Sequence, residues 1–124
     1  MTGFVVELEK ATLENNNYRK VLYTSKRSQL VLMTIQPGDD IGLETHAEHD
    51  QFIRVEAGSA KAILNGEEHT LVDGTAVVIP AGIEHNVVNI GTDELKLYSL
   101  YTPPEHPDGT IHVTKADALA DPHE

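Results

Sequence analysis

The chain predicts an all-β domain, an antiparallel sandwich or barrel followed by one short C-terminal helix. Three observations carry this. Short β-rich runs recur along the sequence: FVVEL near Phe4, KVLYT near Val21, QLVLMTI from Gln29, QFIRV from Gln51, AKAIL from Ala60, TAVVI from Thr75 and LKLYSLY from Leu95. Helical periodicity is nearly absent between them, which disfavours a parallel sheet, because parallel strands need crossover helices. Turn residues stand where one run stops and the next begins: Pro37-Gly38, Asp73-Gly74, Pro80-Ala81-Gly82 and Gly91-Thr92-Asp93.

Taken in order, the run from Phe4 to Leu8 predicts an N-terminal strand that covers an exposed edge by pairing across a two-fold axis, so a homodimer is expected. In QLVLMTI, alternation puts Gln29, Val31, Met33 and Ile35 on one face; in LKLYSLY it puts Leu95, Leu97, Ser99 and Tyr101 on one face. One member of each opposing set should line the interior, and the register decides which face is inward. Asn65-Gly66 suits positive φ at both centres of a type I′ turn and predicts a tight hairpin. After Tyr101, TPPEHPDGT holds three prolines and predicts an ordered arm or loop over the barrel rather than a ladder strand. Thr114 then caps a short helix, with Asp117 placed for a capping-box arrangement.

Size and charge narrow the function. With 124 residues, the chain supports a single domain over positions 1–124. Lys+Arg 9 against Asp+Glu 20 gives a net charge of -11, which opposes phosphate neutralisation on nucleic acid and binding to anionic membranes. A small-molecule ligand is the expected partner. Cysteine is absent, so thiolate catalysis and sulfur-ligated metals are excluded, and any metal must sit on N and O donors. No basic start with a long apolar run is seen, and no apolar stretch approaches the roughly 20 residues a spanning helix needs. A cytoplasmic protein is expected.

Two segments, Gly38 to Gly58 and Gly74 to Asn89, hold four candidate metal ligands: Glu44, His46, Gln51 and His85. If Glu44 and His46 share one strand, their spacing of two puts both on one face and sends Thr45 away. Imidazole, carboxylate and amide oxygen together suit Zn, Mn, Fe, Co or Ni. Four protein donors leave a position open for water or substrate.

These segments resemble the cupin family, whose first motif is Gly-x5-His-x-His-x(3,4)-Glu-x6-Gly and whose second is Gly-x5-Pro-x-Gly-x2-His-x3-Asn. Gly38, His46 and Gly58 match the first motif, with Glu44 in place of its first histidine and Gln51 in place of its glutamate. Gly74, Pro80, Gly82, His85 and Asn89 match the second. The resemblance implies a double-stranded β-helix, a jelly-roll-like barrel, and one divalent metal on Glu44, His46, Gln51 and His85. The exchange moves the single carboxylate to another position and keeps the net charge of the donor set. Similar small cupins include sugar isomerases and unsaturated-uronate ring-opening enzymes, so a sugar or sugar acid is the leading ligand class. A non-haem dioxygenase and a non-catalytic binding module are the alternatives. Phosphorylated sugars would need Arg19, Lys20, Lys26 and Arg27 to gather into a basic rim.

Bland readings are expected for the other histidines. His49 is separated from His46 by strand alternation or a loop, and His69 follows the hairpin turn on a solvent face. His106, His112 and His123 sit in the tail; an exposed His106 is expected, with cover of a pocket mouth as the alternative if the tail folds back.

Overall fold

Alternating runs and tight turns fold the chain into two facing antiparallel sheets. The computed structural model describes residues 3–122; His123 lies outside them. The elements are α1 (Leu8–Glu14), β1 (Arg19–Thr24), β2 (Gln29–Ile35), β3 (Asp50–Ala57), β4 (Ser59–Leu64), β5 (Glu67–Val72), β6 (Ala76–Ile79), β7 (His85–Asn89), β8 (Leu95–Thr102), β9 (Ile111–His112) and α2 (Lys115–Ala120). One sheet runs β6-β3-β8-β2-β1-β9 and the other β5-β4-β7. This is the all-β architecture with a short C-terminal helix that the sequence predicts. Among the described residues no helix is long and apolar enough to cross a membrane.

The interior is built in cross-strand rows. Tyr101 pairs with both Gln29 and Gln51, Ser99 with Val31 and Ile53, Leu97 with Met33 and Val55, and Leu95 with Ile35. All of these side chains are buried. The two strand faces picked out by alternation are therefore both inward. Val87, Ala60, Ala62 and Leu71 meet them from the smaller sheet.

Turn chemistry matches the positions at which the sheets fold back. Asn65 has φ 47° and Gly66 φ 84°, the two positive angles that a type I′ hairpin requires. Gly58, between β3 and β4, combines φ +93° with a close approach: a Cβ there would lie 2.9 Å from the Glu94 carbonyl oxygen. Any side chain would force β8 away. At the C-terminus the Thr114 hydroxyl accepts from the Asp117 N–H, and the Asp117 carboxylate accepts from the Thr114 N–H, completing the capping box at the start of α2.

The N-terminus departs from expectation. Residues 3–7 form no strand, and the chain turns directly into α1. Thr12 is the helix's buried residue; its hydroxyl bonds the Leu8 carbonyl, and the following Asn15 accepts from the buried Lys96 ammonium. Phe4 instead stacks on Tyr23 with ring centroids 4.9 Å apart. Two helical turns with a polar buried contact leave too short an apolar pattern to register as helical periodicity. β5 also escapes a reading based on apolar runs, because Leu71 is its one buried residue.

Candidate metal centre

The four candidate ligands reach one end of the barrel by three routes. Gln51 is the inward residue at the start of β3, and His85 begins β7 with its side chain inward. Glu44 and His46 sit on an extended segment that runs antiparallel to β7 without forming a regular strand. Its backbone bonds link Ile41 to Val87, Glu44 to His85 in both directions, and the His46 carbonyl to the Gly82 N–H. Gly42 and Leu43, between Ile41 and Glu44, thus oppose the single residue Asn86 between Val87 and His85, a β-bulge. The Asn86 side chain fills the irregularity by accepting from the Gly42 N–H at 3.0 Å and donating to Asp40 at 2.9 Å. Beyond the bulge, alternation resumes as expected, with Glu44 and His46 partly buried and Thr45 exposed.

Glu44, His46 and His85 each direct one donor atom into a common space, all within 4.8 Å of one another. His85 donates Nδ1–H to the Ile83 carbonyl at 2.9 Å, since a carbonyl can only accept. That leaves its Nε2 lone pair facing the cluster, the arrangement that orients a metal-binding histidine. Gln51 is held similarly. Its amide nitrogen donates to Ser99 Oγ at 2.8 Å and to the Tyr101 hydroxyl at 3.1 Å, which fixes the opposite orientation for Oε1.

Two buried atoms test whether this donor set fits a cation. Gln51 Oε1 and His46 Nε2 are enclosed yet make no hydrogen bond. His46 Nε2 lies 3.0 Å from Glu44 Oε2, but the approach misses hydrogen-bond alignment. Buried polar atoms are ordinarily satisfied, so an amide oxygen without a hydrogen bond beside a carboxylate and two imidazoles fits a cation-binding donor set. The chemistry of two imidazoles, one carboxylate and one amide oxygen fits a divalent transition metal.

Charge within the site is consistent with this. Burial works to raise the Glu44 pKa, but neighbouring His46, with help from Arg19 and His85, outweighs it and holds the carboxyl below its ordinary value. The Glu44 carboxylate in turn raises His46. Tyr101 is pushed upward by burial and remains a neutral phenol.

The C-terminal arm closes over this end, and its residues were the part least visible to sequence reasoning. Gln29 grips the arm through its amide, donating to the His106 carbonyl at 2.7 Å and accepting from the Glu105 and His106 N–H groups at 3.2 and 3.0 Å. Glu105 then lies 3.0 Å from His49 Nε2 and 3.6 Å from His46 Nδ1. His49 also meets the Pro103 carbonyl through Nδ1 at 2.8 Å. It thus faces the arm rather than the ligand cluster, in keeping with its non-ligand reading. His106 is not exposed as expected: it is 8 % accessible, packs edge-on to Tyr101, and burial pushes its pKa down to about 3. The prolines that break the ladder let the arm turn inward. His69 remains on the solvent face.

Beside the cluster is a cleft of about 330 Å³ lined by Tyr18, Arg19, Ile41, Glu44, Glu105 and residues of α2. Among the described residues no basic rim forms there. Alternation along β1 turns Arg19 inward and Lys20 outward, while Lys26 and Arg27 are exposed at the β1–β2 turn.

A family model described as a cupin domain matches residues 31–101. The chain belongs to the cupin family. It is 48 % identical over 124 residues to the uncharacterized protein YrkC of Bacillus subtilis (strain 168), a match that takes in 94 % of this chain and 66 % of that protein. The chain thus spans just under two thirds of that relative's length. It is similar to the crystal structure of BH2720 from Bacillus halodurans, with TM-score 0.94, 46 % identity, and coverage of 95 % of this chain and 94 % of the other. Over 72 residues it is also 32 % identical to a mannose-1-phosphate guanylyltransferase of Salmonella montevideo, matching 58 % of this cupin and 15 % of that protein.

Asn89 of the second motif has a structural task in this cupin. Its amide donates to the Ile35 and Asp93 carbonyls and accepts from the Gly91 N–H, all at 2.9 Å. Motif residues therefore divide between corners and clasps on one side and the donor cluster on the other.

Proposed function

We propose that this cupin binds one divalent transition metal, Zn, Mn, Fe, Co or Ni, on Glu44, His46, Gln51 and His85, and uses it to hold a small polar metabolite, a sugar or sugar acid. The observation that carries this reading is the buried Gln51 Oε1, which makes no hydrogen bond, beside the Glu44–His46–His85 cluster. A bound divalent ion would supply Lewis acidity, polarising a carbonyl or ordering vicinal hydroxyls. The chain's own residues do the positioning. Ile83 sets the His85 tautomer, Ser99 and Tyr101 aim the Gln51 carbonyl, and the arm with Glu105 excludes water from one side. A similar stretch in a protein named for a sugar phosphate supports the ligand class.

Metal analysis after purification and again after metal addition tests the reading. About one ion per chain is expected, as a single donor set requires. A persistent shortfall would overturn it. Gln51→Glu should retain or strengthen binding, because the Ser99 and Tyr101 hydroxyls can turn to donate to a carboxylate; loss of metal in that variant would remove Gln51 from the ligand set.

We also propose that the partner is a second copy of the chain, docked on the outer face of the six-stranded sheet. Leu30, Leu100, Phe52 and Val78 stand there in one cross-strand row, with Leu100 36 % and Val78 64 % exposed. An uncharged row in a chain of net charge -11 is where two copies repel least. Sedimentation should give a dimer mass that Val78→Lys converts to a monomer; a monomeric wild type would overturn the dimer.

A further inference from the structure

Two carboxylates meet the two ring nitrogens of His46 from opposite sides. Glu44 Oε2 lies 3.0 Å from Nε2 on the side of the donor cluster, and Glu105 Oε2 lies 3.6 Å from Nδ1 on the side of the arm. The backbone of His46 is pinned by the bond from the Gly82 N–H to its carbonyl at 2.8 Å, but that bond leaves the ring tautomer open. At His85 the tautomer is set by the Ile83 carbonyl, which accepts from Nδ1–H at 2.9 Å. His46 has a carboxylate in the corresponding place.

Glu105 is delivered to that place by contacts that do not involve the metal cluster. Gln29 accepts from the Glu105 and His106 N–H groups and donates to the His106 carbonyl, so the arm's backbone is fixed whatever side chain stands at position 105. The carboxylate is then steadied by His49, whose Nε2 lies 3.0 Å from the same Oε2 and whose Nδ1 bonds the Pro103 carbonyl at 2.8 Å. The His46 and His49 rings stand nearly edge-on, at 81° with centroids 6.0 Å apart, and Glu105 Oε2 contacts both. With the side chains of His46 and Glu105 11 % and 26 % exposed, the contact is largely shielded from water.

We propose that Glu105 is a positioning residue for the metal centre: it keeps the His46 proton on Nδ1 and so presents Nε2 to the donor cluster as a bare lone pair. The proposal rests on the metal reading above. A metal on Nε2 requires the proton on Nδ1, and that N–H then faces the Glu105 carboxylate across a gap just beyond hydrogen-bond length, which a small side-chain rotation closes. A charged acceptor also makes an imidazole a more basic donor than a neutral carbonyl does, so His46 is the stronger donor of the two histidines. The centre is thus completed by a residue of the C-terminal arm, outside both motif segments.

Cobalt affinity and histidine N–H exchange test this together. Cobalt is titrated into metal-free protein against a chromophoric chelator, and the paramagnetically shifted N–H resonances of His46 and His85 are followed in the loaded protein. Glu105→Ala should weaken cobalt by about tenfold or more, as loss of an outer-shell partner does. Glu105→Gln, which keeps the shape and an acceptor but not the charge, should fall between wild type and Glu105→Ala. In Glu105→Ala the His46 N–H should exchange with solvent faster, while the His85 N–H, held by Ile83, should not change. Cobalt affinity within about twofold of wild type in both variants would overturn the proposal, as would equal acceleration at the two histidines, which marks a general opening of the arm. If Glu105→Ala fails to fold, the loss in Glu105→Gln decides. A wild type that takes up no cobalt would overturn the metal reading and the proposal with it, whereas a loaded wild type with unaffected variants overturns the role of Glu105 alone.

Discussion

The two ends of this barrel are built from the same strands and differ in almost every physical respect. At one end Ile35, Met33, Leu95, Leu97 and Val55 fill the space between the sheets with fully buried aliphatic groups. At the other, two to four residues along those strands, Gln29, Gln51, Ser99 and Tyr101 are just as buried but polar. The apolar end obtains stability from burial that is non-directional and tolerant of small rearrangements. Directional bonds are the requirement at the polar end, where each buried donor and acceptor must meet a partner or a bound species. The lesson is that one ladder can carry stability at one end and binding at the other, provided the polar groups are held by neighbours rather than by solvent.

The largest expected effect separates the two ends cleanly. His85→Ala removes an imidazole donor and should reduce metal content from about one ion per chain to background, with the cobalt-free protein unfolding within a few degrees of wild type. Elemental analysis and a thermal melt measure both. Retained metal would show that His85 is not a ligand. Leu97→Ala reverses the pattern. It should cost about 2–5 kcal/mol of stability through lost burial and a residual cavity, read by urea denaturation, while metal stoichiometry is unchanged. A smaller effect comes from the arm. His106 is kept neutral by burial, with a pKa near 3 against about 6.5 in the unfolded chain. The unfolded state therefore binds the extra proton, and stability should decline as pH falls from about 6.5 toward 3, by up to roughly 1.4 kcal/mol per pH unit. Denaturation of metal-free protein across this range should show a slope that His106→Asn flattens. An unaltered slope would place the acid sensitivity in other groups.

How much of this was legible beforehand follows the same division. The apolar face of QLVLMTI, the Asn65-Gly66 turn and the capping box at Thr114 are local patterns whose physics is complete within a few residues, and each appears as expected. The donor cluster was legible through motif spacing, although the spacing does not reveal the bulge at Gly42 and Leu43 that returns Glu44 to register with His85. By contrast α1, β5 and the burial of His106 were missed. α1 is too short for periodicity, β5 keeps one buried residue, and His106 is buried only because Gln29 grips the arm's backbone from a strand distant in sequence.

The sequence alone therefore determined the β-class, which residues share a strand face, the turn positions and the four residues chemically able to meet at one site. It could do so because side-chain alternation, positive φ and donor chemistry are properties of single residues and near neighbours. Tertiary structure decided which polar atoms end up buried without partners, that Arg19 rather than a basic rim faces the cleft, and that Glu105 and His106 cover the polar end. Those outcomes depend on contacts between segments far apart in the chain, where geometry, not residue type, decides what a side chain meets.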